Sequence, residues 1–130
     1  MEDFEWGAVK STRERQEFTT GSVRDSRIGK GRFDLLPPKA IRRLAVHFEN
    51  GAVNYGERNW EKGQPIGRYM DSALRHLFCY LDGKSDEDHL AAVAWNVLCA
   101  MQTEMLKPEL QDIPTRKDKP GKVELIEDDF

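Results

Sequence analysis

Residues 85–106, SDEDHLAAVAWNVLCAMQTEML, decide the architecture. Ser85 is placed to cap a helix, and Asp86, Glu87 and Asp88 suit the positive end of its dipole. Pro108 forbids extension much beyond Leu106. Between these limits Ala91, Val93, Ala94, Trp95, Val97, Leu98, Ala100 and Met101 cover nearly the whole circumference. A helix that is apolar all round must be surrounded. Two other short helices can hardly surround it, so the pattern predicts that a second subunit supplies part of the cover. The alternative is that the chain's own arm and tail fold over it.

Those two helices precede it in the chain. The first begins at Pro37–Pro38, where proline suits the opening turn. Ile41, Leu44, Ala45, Phe48, Ala52 and Tyr55 then form one stripe, and Gly56 is placed to end it. The second starts near Pro65–Gly67, with a stripe of Ile66, Tyr69, Met70, Ala73, Leu74, Leu77, Phe78 and Leu81, and Gly83 stops it. Residues 1–34 show no helical period and include TTGSVRDSRIGKGR, which reads as an arm or wrapping loop. From residue 107, Pro108, Pro114 and Pro120 argue against a long final helix, and the acidic end IEDDF reads as a mobile or draped tail. The expectation is an all-α fold: a small bundle of three main helices (residues 35–106), an extended N-terminal arm (1–34) and a C-terminal tail (107–130), completed by oligomerisation.

The chain has 130 residues, 38% hydrophobic and 33% charged, with a net charge of −3. That suits one soluble domain with a modest core, and gives no bulk attraction for a nucleic acid polymer. Cys79 and Cys99 lie in apolar helical patterns and are expected to be reduced core residues. The longest apolar run is too short to span a bilayer, and MEDFEWGAVK does not read as a secretory signal, so a cytoplasmic protein is expected.

Several polar residues do not fit a plain core. His47, His76 and His89 each fall beside or within a polar cluster on one of the three helices. Asn96 interrupts the apolar run, and a buried carboxamide requires a partner: a neighbouring helix, a symmetry mate or a ligand. Asp71 and Arg75, four apart, are placed to pair. Gly51, inside a helix, suggests close approach by another helix or a ligand. Residues 54–63, NYGERNWEKG, crowd Tyr55, Arg58, Asn59, Trp60 and Glu61 into one turn. Arg58, Arg75, His76 and His89 together suggest an anion site, with Tyr55 or Trp60 to stack on a base and Asn59 or Asn96 to bond its edge. Trp60 alone reads more simply as a hydrophobic plug beneath the turn.

The stretches GRFDLLPPKAIRRLAVHFENGAVNYGERNWEKG, RYMDSALRHLFCYLDG and DEDHLAAVAWN resemble the phage-associated dATP/dGTP diphosphohydrolase N-terminal-domain family, from about Gly31 to Met101. The resemblance implies a small helical protein related to purine deoxynucleotide chemistry in an infected host cell. Carried over by position, it points to Arg32, Asp34, His47, Tyr55, Arg58, Asn59, Trp60, Glu61, Arg75, His76 and His89. The distantly similar MazG-type pyrophosphohydrolases hold Mg²⁺ with ExxE and ExxD pairs. Here His89 and Ala92 stand where one such pair would be, so that metal site cannot form.

Two functions follow as expectations. One is a nucleotide-binding protein that captures a purine nucleotide, or a signal derived from one, through an Arg/His pocket and sequesters it as an anti-defence sponge, with no cofactor required. The other is a pyrophosphohydrolase using Mg²⁺ or Mn²⁺, with Glu49, Glu61, Asp71 and Asp88 as metal ligands and Glu61, Asp71, Asp88 and His89 as catalytic candidates. A helical assembly protein is a third.

Overall fold

A computed structural model describes residues 14–117, in two units: residues 14–36 and residues 37–117. Residues 1–13 and the acidic end, with Pro120, lie outside the described residues.

The first unit holds an antiparallel hairpin of β1 (Arg15–Glu17) and β2 (Val23–Asp25), with Gln16 opposite Arg24. The sequence expectation of a plain arm missed it. Its strands are short and exposed, so no alternation of apolar residues marks them. The TTGS segment is the turn between them, with Gly21 at φ 87°. After the hairpin a 3₁₀ turn spans Phe33–Leu35.

The second unit is a bundle of α1 (Pro38–Tyr55), α2 (Ile66–Leu81) and α3 (His89–Leu106). Pro38 opens α1, and Gly56 closes it at φ 91°, its N–H donating to the Ala52 carbonyl at 2.9 Å. The most extensive packing is between α2 and α3, joined as an antiparallel pair by the short loop 82–88. Ser85 does not cap α3. The helix starts four residues later, and Asp88 is its cap, accepting from the Ala91 N–H at 3.1 Å. Arg43 on α1 grips the same carboxylate at 2.6 and 2.7 Å, which holds α1 to the start of α3.

The core is small. Ile66 and Tyr69 meet Cys99 and Ala100, with Phe48, Trp60, Met70, Trp95 and Ile113 packed around them. Both cysteines are free, and burial pushes the Cys99 thiol up to about 12, which makes it inert. The predicted stripes are only partly used. On α1, Leu44, Phe48 and Ala52 are half-buried, while Ile41, Ala45 and Tyr55 are exposed. On α2, Leu74, Leu77, Phe78 and Leu81 face outward. On α3, the small residues Ala91, Ala92 and Ala100 let α2 approach, and Val97, Leu98 and Met101 are exposed.

Residues 107–117, after α3, pack against the bundle. Pro108–Leu110 form a 3₁₀ turn, Lys107 Nζ donates to the Lys62 carbonyl at 2.8 Å, and Ile113 joins the core. Asp112 accepts from the Gly67 N–H at 2.7 Å, satisfying a free donor in the first turn of α2. No helix among the described residues is long and apolar enough to cross a membrane.

Candidate functional site

The end of α1 and the 3₁₀ turn that follows it (Asn59–Lys62) overhang the α2–α3 pair and leave a cavity of about 870 Å³. Nucleotide-sized ligands occupy cavities of this order. Arg58 creates the overhang by adopting φ 59°, the left-handed conformation that a non-glycine side chain rarely takes. Trp60 does act as the plug expected of it, edge-on to Phe48 at 6.2 Å. It also faces the cavity, as do Phe48 and Trp95. His47 leans on Trp95 at 6.1 Å. One wall of the cavity is therefore aromatic.

The other wall carries the histidines. His76 lies on α2 and His89 is the first residue of α3, so the tight α2–α3 loop sets them side by side, Nδ1 to Nδ1 at 3.0 Å. His89 is buried, and its Nε2 sits 2.7 Å from an oxygen of Asp86. The bond holds the Asp86 carboxyl below the usual carboxylate range. Since a carboxylate only accepts, His89 Nε2 carries the hydrogen, and its Nδ1 presents a lone pair towards His76. Burial lowers the pKa of His76, opposed by nearby Glu87. Glu87 Oε1 is 3.4 Å from His76 Nδ1 and 4.0 Å from His89 Nδ1.

Of the residues expected to bind a nucleotide, His47, Tyr55, Arg58, Asn59, Trp60, His76 and Asn96 line the cavity, and His89 touches His76 from behind. Arg75 does not line it. Consecutive helix residues point roughly 100° apart, so His76 turns inward and Arg75 borders a separate surface hollow with Asp71, Asp82 and Lys84. Asp71 pairs with Arg68 at 3.1 Å, and Arg75 reaches only the Ser72 hydroxyl, at 3.4 Å. Arg32 belongs to the first unit, where it grips Asp34 at 2.8 Å through two nitrogens and holds that carboxyl at about 2. Arg58 pairs with Glu61 at 2.9 Å on the exposed rim. Within the chain the Asn96 amide is satisfied on its own helix, donating to the Ala92 carbonyl one turn back, at 2.8 Å. Among the described residues no helix packs at Gly51, where a methyl group would meet nothing within 4 Å; Gly51 borders the cavity.

The carboxylates named for a Mg²⁺ site are spread out. Glu49 and Glu61 border the cavity, Asp71 is outside it, and Asp88 is engaged as a helix cap by Ala91 and Arg43. Sequence reasoning passed over Glu87 and Asp86, which read as dipole partners of a helix. Their position beside a histidine that opens α3 is the signal that could have found them. Among the described residues, His76, Glu87 and His89 form the one group of three such side chains within reach of a shared ion.

The chain matches the family described as dATP/dGTP diphosphohydrolase, N-terminal, over residues 20–113. It belongs to that family. No curated protein and no solved structure matches it. The family match extends past α3 to Ile113, the stretch that carries Asp112 and closes the core, and includes every residue of the cavity wall.

Proposed function

We propose that the cavity binds a purine deoxynucleotide. The observation that carries the reading is one cavity of nucleotide size lined both by aromatic rings, Phe48, Trp60 and Trp95, and by the His76 imidazole. Trp60, Trp95 and Tyr55 offer faces for a purine. Asn59 and Asn96 offer amides to its edge, and His76 and Arg58 face the phosphates. The family description, with its two purine deoxynucleotides, supports the same ligand class.

Capture by cations alone fits the cavity less well than the sequence suggested. Glu49, Glu57, Glu61 and Glu87 border it, against the single guanidinium of Arg58. Such a lining repels a bare triphosphate and accepts one that carries a divalent cation. That balance favours the hydrolytic reading, in which a divalent ion polarises the phosphate and water releases pyrophosphate, over sequestration as a sponge.

The test is calorimetric titration of dGTP, dATP and ADP-ribose-type and cyclic nucleotides, with and without Mn²⁺, followed by chromatography of the recovered ligand. A purine deoxynucleotide should bind, and pyrophosphate should appear with Mn²⁺ present. Binding with the ligand recovered intact would restore the capture reading. No nucleotide binding at all would leave the helical assembly reading.

A second copy of the chain is the partner proposed for the outward leucines of α2 and α3, since a layer of paired helices is stable against another layer.

A further inference from the structure

We infer that His76, Glu87 and His89 hold a divalent transition-metal ion in the cavity wall. The proposal rests first on distance. The three donor atoms are 3.0, 3.4 and 4.0 Å apart. A triangle with those sides has one point about 2.1 Å from every corner, the length of a bond from Zn²⁺ to imidazole or carboxylate. Glu87, half exposed on its loop, is free to adjust its carboxylate to that point.

The second ground is chemical. A ligating imidazole typically gives its other N–H to a carboxylate, which fixes the tautomer. Asp86 does this at His89 Nε2, leaving Nδ1 as the lone-pair nitrogen on the side where His76 and Glu87 converge. Without an ion the two Nδ1 atoms share one hydrogen, His76 donating to His89. When the ion binds, His76 moves that hydrogen to its own Nε2 and both rings remain neutral.

Two nitrogens and one carboxylate oxygen select for Zn²⁺, Mn²⁺, Fe²⁺ or Co²⁺ over Mg²⁺, which prefers oxygen alone. His76 and Glu87 border the cavity, so an ion that they hold lies beside it. Resting on the nucleotide reading above, the ion takes a phosphate oxygen there. This ligand set shares none of the four carboxylates that the sequence suggested for a metal.

The experiment uses tag-free full-length protein stripped with chelator, titrated with Co²⁺ and Zn²⁺ without nucleotide. One ion per chain is expected, with the visible absorption of Co²⁺ bound to nitrogen and oxygen. Glu87→Gln, on an exposed loop, should weaken binding at least tenfold without altering the helical circular dichroism. Asp86→Asn should weaken it by about 10- to 100-fold. No metal above background in the folded wild type, or wild-type affinity in both Glu87→Gln and His76→Gln, overturns the site. Equal dGTP affinity with and without bound ion overturns its role towards phosphate, while leaving nucleotide binding intact.

Discussion

Tyr69 has no exposed surface, and its hydroxyl, buried beside Thr103, makes no hydrogen bond of good geometry. A buried hydroxyl without a partner costs about 1–3 kcal/mol. Tyr69→Phe should therefore raise the melting temperature or leave it unchanged, and a clear drop would show that the hydroxyl has a partner. Arg58 allows stability and binding to be separated at one position. Its left-handed backbone costs a residue with a Cβ about 1–2 kcal/mol, which glycine avoids. Arg58→Gly should keep the protein as stable as wild type and weaken dGTP binding tenfold or more by calorimetry. Unchanged affinity would leave Glu61 as the sole use of that guanidinium. Arg75→Ala, outside the cavity, is the control expected to change neither.

At the scale of elements, α3 is set by Asp88 and α2 by Asp112. Asp88→Ala removes the cap, a loss of about 1 kcal/mol by chemical denaturation. Asp88→Asn keeps an accepting oxygen and should recover most of it. Because Arg43 and Ala91 lower the Asp88 carboxyl pKa, the contribution is fully present above the ordinary carboxylate value near 3.8 and is lost as pH falls through the lower folded value. A denaturation series from pH 5 to pH 2 should show wild type losing its advantage over Asp88→Asn in that range. A constant difference would mean the carboxylate charge is not what Arg43 holds. The three helices, with Pro38, Gly56 and Pro108 at their limits, were legible in the sequence because period and punctuation are local. The cap was not: Ser85 and Asp88 are both good capping residues, and the choice depends on Arg43, 45 positions away. Asp112 escaped for the same reason, its partner Gly67 being equally distant in sequence. The cavity was half legible. His47, Arg58, Asn59, Trp60 and His76 declared themselves as polar or aromatic residues out of place, whereas Arg75 misled because only helix phase, read against the packed neighbour, separates it from His76.

At the scale of the whole molecule, apolar surface outruns the core. Leu74, Phe78 and Leu81 follow one another at helical spacing on α2, as do Leu98, Met101 and Met105 on α3, and all six are exposed. Burying one such side chain fully gains about 1.5–3 kcal/mol, and both stripes together stand against the cost of pairing two chains. An antiparallel helix pair facing its own copy about a two-fold axis makes a four-helix bundle, in which the stripes of one chain meet those of the other. The chain should sediment as a dimer or larger even assembly. Phe78→Glu with Leu98→Glu should yield monomers that keep their helical signal, since both side chains are exposed in the single chain. A wild type that is monomeric at high micromolar concentration would assign those stripes to a different partner.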